Sequence, residues 1–122
     1  MARAASADAA RHRAQLLASQ GEATRQLASL DRDFEEIVHG SELVNTDDEH
    51  DPEGATVAFE RAQVMALRAS ARRRLEALDV ALSHLDEGTY GVCIRCAGPI
   101  GAERLEAVPE APTCVVCASQ AS

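Results

Sequence analysis

Hydrophobic residues recur at steps of three and four along two long stretches of the chain, which is the spacing of one face of an α-helix. In the first stretch, from about residue 7 to residues 39–45, the stripe consists of Leu16, Ala23, Leu27, Leu30, Phe34 and Ile37. In the second, from residue 52 to about residue 87, it consists of Val57, Val64, Leu67, Ala71, Leu75, Leu78, Leu82 and Leu85. Such repeats form the seam of a coiled coil. The pattern predicts a mainly α fold in which two long helices pack as an antiparallel hairpin.

A polar segment, residues 45–54, separates the two stripes and carries the signals that begin a helix. Asp51 is a good N-cap, Pro52 suits the first helical position, and Glu53 favours the positive end of the helix dipole. Gly88 follows the last turn of the second stripe and predicts its end. We therefore divide the chain into a flexible tail at 1–6, a coiled-coil hairpin at 7–87 with residues 45–54 as its acidic tip, and a small module at 88–122 that contains all four cysteines.

All four cysteines lie in the C-terminal module, as two C-x-x-C pairs. They are Cys93, Cys96, Cys114 and Cys117, with seventeen residues between the two pairs. This spacing is typical of a site in which four thiolates hold one zinc ion in tetrahedral geometry. Four protein ligands leave no position for water or a substrate, so the predicted Zn²⁺ is structural rather than catalytic. Two disulfides, or four reduced cysteines in a core, are the alternatives.

The composition suits a helical framework better than one compact core, because 24 of the 122 residues are alanine and only three are aromatic. The sequence contains no apolar run of about eighteen residues and no apolar leader segment, so we expect neither a membrane span nor a secretory signal. Cysteine pairs at metal spacing fit a reducing compartment. We therefore expect a cytoplasmic protein.

The net charge of −8 is concentrated in the middle of the chain. Residues 31–53 contain ten acidic residues and one arginine, a net charge of −9, and the remainder of the chain carries +1. Because a phosphate backbone attracts clustered lysine and arginine, this distribution argues against direct sequence-specific DNA binding. It favours a basic protein surface or a metal ion as the partner of the acidic segment. No nucleophile with a recognisable base is present, and we expect no enzymatic activity.

The C-terminal segment closely resembles the zinc finger of the DksA/TraR family, and the preceding hairpin agrees in kind. The residues that carry the resemblance are Gly88, Tyr90, Gly91, Cys93, Cys96, Ile100, Arg104, Leu105, Ala107, Pro109, Cys114 and Cys117. The resemblance implies a transcription regulator that binds bacterial RNA polymerase. It implies that the coiled coil enters the secondary channel, through which nucleotides reach the active site, and that the acidic tip approaches the catalytic centre to modulate initiation.

The resemblance also bears on the tip, for which the best-studied family motif reads D-x-x-D-x-A. Asp48-x-x-Asp51 matches the first half but places Glu53 at the alanine, whereas an alignment on Ala55 places His50 and Glu53 at the two acidic positions. The effector acid is therefore either Asp51 or Glu53. The residues expected to form the partner-binding tip are Asp47, Asp48, Asp51, Glu53 and Ala55.

Longer family members continue into a C-terminal helix that supplies part of their binding site for the alarmone ppGpp. This chain stops five residues after Cys117 and contains no lysine. The resemblance therefore argues against cooperation with ppGpp.

Three other functions remain open. A zinc-stapled coiled-coil adaptor for another protein would share the same fold. A zinc ribbon that binds nucleic acid is disfavoured by the acidic middle of the chain and by the presence of only Arg95 and Arg104 near the cysteines. A redox sensor that releases zinc on thiol oxidation would lack a resolving cysteine, because no cysteine lies outside the four.

Overall fold

The computed structural model describes the backbone of residues 2–44 and 52–120, and the side chains of residues 8–40 and 54–120. Its helices are α1 (Ala2–Val44), α2 (Pro52–Glu87), α3 (Ala102–Ala107) and α4 (Val115–Gln120). The two long helices form a hairpin, which confirms the predicted mainly α fold. Among the described residues the β pairing is limited to one isolated antiparallel bridge, between Val92 and Pro99.

Helix α1 begins at Ala2, earlier than the start near residue 7 that the hydrophobic stripe predicts. The first twenty residues contain no glycine or proline and are rich in alanine and arginine, which have high helix propensity. The helix also continues through Gly40 and ends at Val44, within the predicted range. A glycine inside a helix costs about 0.5–1 kcal/mol relative to alanine, which is too little to end a helix of this length.

Helix α2 begins at Pro52 and ends at Glu87, as the sequence predicts. Gly88 adopts a left-handed backbone conformation with φ of 80°. The N–H of Thr89 donates to the carbonyl of His84 at 2.8 Å, and the N–H of Gly88 donates to the carbonyl of Leu85 at 3.3 Å. These two bonds form a Schellman motif, in which glycine satisfies the last carbonyls of a helix at no steric cost.

The structure comprises two compact units, of which the first combines Met1–Glu22 with Arg74–Ser122. In this unit the seam residues Leu16 and Leu78 are fully buried, and Ala81 is nearly so. Leu82, which the seam pattern also places inside, is half-buried. The helical part of the first unit is therefore packed around a few aliphatic side chains.

Polar contacts in the first unit show how its two helical segments run. Arg13 of α1 forms an ion pair with Asp86 of α2. Seven residues further along α1, Gln20 donates a hydrogen bond to Asp79, which lies seven residues earlier on α2, at 2.7 Å. The two segments are therefore antiparallel.

The second unit, Ala23–Arg73, contains the buried seam residues Ala23, Leu30 and Ala71. Leu67 was predicted to belong to this seam, but its side chain is 45 % exposed, so that prediction is wrong. Arg68 takes the position instead, with a side chain that is 20 % exposed.

Arg68 is held in the seam by two groups of α1. Its Nε donates to the Asp31 carboxylate at 2.7 Å, and its guanidinium carbon lies 4.5 Å from the centre of the Phe34 ring. Arg68 stands seven residues before Leu75, so it shares the heptad position of that leucine, whereas Leu67 does not. The heptad phase therefore decides which of the two neighbours faces the other helix.

Within the described residues, no helix combines the length and the apolar character needed to cross a membrane.

Substitution of Leu78 tests the packing of the first unit. Leu78 is 0 % exposed, whereas Val80, two residues later on α2, is 50 % exposed. Because Leu78→Ala leaves a cavity in the seam, we expect it to lower the free energy of unfolding by about 2–4 kcal/mol. The matched control Val80→Ala should change it by less than about 0.5 kcal/mol. Urea denaturation followed by circular dichroism measures both values, and equal losses would contradict this packing.

Candidate metal centre

The first cysteine pair lies in a tight turn closed by backbone hydrogen bonds. The N–H of Cys93 donates to the carbonyl of Gly98 at 2.8 Å, and the N–H of Ala97 donates to the carbonyl of Cys93 at 2.9 Å. Ala97 has φ of 62°, a left-handed conformation that costs a non-glycine residue about 1–2 kcal/mol. The N–H of Gly98 also points at the Cys96 sulfur, at 3.4 Å. The turn thus directs both sulfurs of the pair to one side.

The second pair lies at the start of helix α4. The carbonyl of Cys114 accepts the N–H of Ala118 at 2.9 Å, which begins the helix. The N–H of Cys117 points at the Cys114 sulfur, at 3.5 Å. One helical turn therefore places the Cys114 and Cys117 sulfurs on the same side of α4.

The two pairs meet at one point. The sulfur atoms of all four cysteines lie within 4.8 Å of one another, and the Cys96 and Cys114 sulfurs are 4.0 Å apart. A zinc ion binds thiolates at about 2.3 Å, so a tetrahedral site requires sulfur separations of about 3.8 Å. The four cysteines are free rather than disulfide-bonded. They are positioned to bind a single metal ion, and four thiols are the donor set that structural zinc prefers.

The cluster of sulfurs is also the core of the module. Cys93 is 1 % exposed and Cys117 is 8 % exposed, and they pack with the buried side chains of Ile100 and Ala111. Leu105 packs against this core from α3. Because so few apolar side chains are buried here, a bound metal would be the main element that fixes the module.

Hydrogen bonding separates the pKa values of two of these thiols. The backbone N–H of Cys96 lowers the pKa of the Cys93 thiol to about 6, although burial acts in the opposite direction. Hydrogen bonding to the Cys114 thiol, followed by burial, raises the pKa of the Cys117 thiol to about 12. The two shifts are opposite in direction, so the cluster holds a proton more tightly at Cys117 than at Cys93, and a bound metal ion must displace that proton.

The predicted tip residues fall largely outside the described part of the chain. This applies to Asp47, Asp48 and Asp51 entirely, and to the side chain of Glu53, whose backbone lies in the first turn of α2. Ala55 is described and is exposed on α2. The predicted tip therefore stays a prediction.

Sequence reasoning missed the contacts that hold the segment before the second cysteine pair. The Tyr90 hydroxyl donates to the carbonyl of Pro109 at 2.8 Å, and the Arg104 Nε donates to the carbonyl of Thr113 at 2.7 Å. Tyr90, Arg104 and Pro109 were noted only as motif positions. These three residues match the family motif at positions other than the cysteines. That match was the signal in the sequence that they support the finger.

The chain combines a long helical hairpin with a C-terminal module in which four cysteines converge. Residues 88–122 match the family model described as "Prokaryotic dksA/traR C4-type zinc finger". The solved structure of transcription factor DksA2 from Pseudomonas aeruginosa matches with a TM-score of 0.74, covering 93 % of this chain and 82 % of that chain at 23 % identity. The sequence-predicted resemblance to the DksA/TraR family and the predicted Zn²⁺ are thereby confirmed, since the matching module is a C4-type zinc finger.

Two relatives from Bacillus subtilis are similar in sequence. The chain is 37 % identical over 73 residues to "Uncharacterized protein YteA" and 39 % identical over 70 residues to "General stress protein 16O". These matches cover 60 % and 57 % of this chain. They cover only 30 % and 43 % of the two relatives, so this chain corresponds to less than half of the length of each.

Zinc analysis tests the metal centre directly. We expect one Zn²⁺ per chain in protein purified without a chelator. In Cys114→Ser the zinc content should fall well below one, because the remaining three thiols no longer complete a tetrahedral site. The C-terminal module should unfold while most of the helical signal of α1 and α2 remains. Atomic absorption and circular dichroism measure these quantities, and wild-type protein without zinc would contradict the assignment.

The pKa values predict how zinc affinity changes with pH. Zinc must displace the Cys117 proton, since the pKa of that thiol is raised to about 12, so affinity should rise with pH. Between pH 6.5 and 8 we expect a rise of at least about tenfold per pH unit, one decade for each proton displaced. Below pH 6 the slope should steepen, because Cys93 with a pKa of about 6 then also binds a proton. Competition with a calibrated chelator measures the slope, and a flat profile would contradict the prediction.

Proposed function

We propose that this protein is a transcription regulator that binds bacterial RNA polymerase and inserts its hairpin into the secondary channel to modulate initiation. One combination supports the proposal: a finger of the dksA/traR C4 type and a hairpin fold shared with a transcription factor occur in one chain. The protein would act in the cytoplasm, where the polymerase is. It would have no catalytic activity of its own and would change the conformation or access of the polymerase active site.

In this proposal the finger supplies rigidity and the metal takes no part in chemistry. Cys93, Cys96, Cys114 and Cys117 act as thiolate ligands of one zinc ion, which leaves no open coordination position. The metal fixes the small module against the polymerase or against the hairpin, as structural zinc does in other small domains.

The acidic segment is proposed as the effector. Residues 31–53 carry a net charge of −9. In the described part of this segment the side chains of Asp33, Glu35 and Glu36 are exposed, so their charges are available to a partner. By sequence, helix capping would account for Asp51 alone, at about 1 kcal/mol, and would leave the neighbouring acids unexplained. Carboxylates at this position suit basic loops or bound magnesium in the polymerase.

The first test is capture of the partner from a bacterial lysate with tagged protein. Core RNA polymerase should be the dominant protein retained. A different dominant protein would favour the adaptor function, and retention of nucleic acid after polymerase removal would favour the zinc ribbon.

The second test compares two variants with the same change in charge. Asp51→Asn with Glu53→Gln removes two charges from the predicted tip, and Asp51→Asn keeps a capping oxygen. Glu22→Gln with Glu76→Gln removes two exposed charges that lie outside residues 31–53 and serves as the matched control. We expect the tip variant to keep its fold, zinc content and polymerase affinity but to lose at least about tenfold in its effect on transcription in vitro, equivalent to about 1.4 kcal/mol. The control should keep most of the effect, and equal behaviour of the two variants would contradict a specific tip.

A further inference from the structure

One segment of the finger contacts both the metal site and helix α2. This segment, residues 108–113, is called the strap here and connects α3 to the second cysteine pair. Its inner side belongs to the metal site: Ala111 is buried with Cys93 and Cys117, and the carbonyl of Pro112 accepts the N–H of Ile94 at 3.0 Å. The position of the strap is therefore tied to the position of the sulfurs.

The outer side of the strap reaches α2 and the chain that follows it. The carbonyl of Pro109 accepts the Tyr90 hydroxyl at 2.8 Å. Glu110 forms an ion pair with Arg74 of α2, with 3.7 Å between the Glu110 Oε2 and the Arg74 Nε. Arg74 is the last of three consecutive arginines, and its neighbour Arg73 is exposed.

One carboxylate oxygen of Glu110 is buried without a hydrogen bond to any other described residue. Its side chain is 13 % exposed, and within the described part of the chain its Oε2 atom is shielded from solvent without a hydrogen bond. The nearest cation, the Arg74 guanidinium, lies beyond hydrogen-bond distance. A carboxylate oxygen that loses water without gaining a hydrogen bond carries a substantial desolvation cost. The docked strap is therefore held in place against this cost by the rest of the finger.

We propose that the strap is a zinc-dependent latch on α2, and that Glu110 opposes its closure. Zinc fixes Cys114 and Cys117 and so holds Glu110 beside Arg74. Without zinc the second cysteine pair is free to move, Glu110 returns to water, and the strap leaves α2. The latch would report zinc occupancy to the hairpin. It depends on the four-cysteine site and is independent of the polymerase, so it can fail while the proposed function stands.

The latch makes opposite predictions for the two members of the ion pair. Arg74→Ala leaves a buried carboxylate with no cation, so the strap should open even in zinc-loaded protein. Glu110→Leu removes the group that opposes closure, so the strap should stay closed more often in zinc-free protein. An ordinary stabilising ion pair would instead be weakened about equally by either change. Glu110→Gln keeps the shape of the side chain and should act in the same direction as Glu110→Leu.

Two probes report on the strap. The N–H of Ala111 donates to the carbonyl of Val108 at 3.0 Å, so its hydrogen-exchange protection factor measures closure. Tyr90 is the only tyrosine in a chain without tryptophan, so its fluorescence reports the bond to Pro109. Both probes are read on full-length protein, loaded with one zinc per chain and after EDTA treatment, with Arg73→Ala as the matched control.

In the wild type and in Arg73→Ala, zinc removal should lower the protection factor of Ala111 at least about tenfold and change the Tyr90 emission. Zinc-loaded Arg74→Ala should resemble zinc-free wild type. Zinc-free Glu110→Leu and Glu110→Gln should keep protection about tenfold above that of zinc-free wild type. The proposal is overturned if zinc removal leaves Ala111 unchanged in the wild type, or if the Glu110 and Arg74 variants lose protection to the same extent. A Glu110→Gln variant that binds less than one zinc per chain under the loading conditions would overturn it too, because that change should favour the closed finger.

Discussion

The convergence of four thiol sulfurs within 4.8 Å is the constraint on which the C-terminal module depends. Its hydrophobic core, within the described residues, is the cluster of Cys93, Ile100, Ala111 and Cys117, and two of these four are themselves proposed ligands. A core this small cannot offset the conformational entropy of ordering more than thirty residues. Metal binding contributes roughly 10–16 kcal/mol in small zinc modules, which is comparable to the net stability of a whole domain. The turns, the strap and helix α4 are therefore organised by the metal site.

The hairpin is held differently, because its seam is rich in alanine. Ala23 and Ala71 bury little apolar area, and at about 25 cal/mol per Å² each contributes much less than a leucine. Apolar packing of this kind does not strongly distinguish one helix register from its neighbours. Polar seam contacts do so, because a shift of one residue separates donor from acceptor. The bond between Arg68 and Asp31 serves this purpose in the second unit.

The features that the sequence predicts correctly are those encoded locally. The spacing of the cysteines predicts the metal centre, and Gly88 predicts the end of α2, because each depends on residues close together in the chain. The position of Leu67 was predicted wrongly because the choice between Leu67 and its neighbour Arg68 depends on the heptad phase of a whole helix. The contact between Arg74 and Glu110 joins residues 36 positions apart, and no local sequence pattern predicts it. Most of the acidic tip lies outside the described residues, so its predicted role rests on charge and on family resemblance.

Carboxylates occupy two physically distinct environments in this chain. Those of Asp33, Glu35 and Glu36 are exposed, keep their hydration and add little cost to folding. Their interaction with a basic partner is screened by salt, with a Debye length of about 8 Å at physiological ionic strength. The Glu110 oxygen has already lost its water within the folded finger, so dissolved ions screen it much less. Recruitment of a partner through the acidic segment should therefore depend steeply on ionic strength, whereas closure of the strap should follow metal occupancy with little response to salt. The two processes can thus be controlled separately within one small protein.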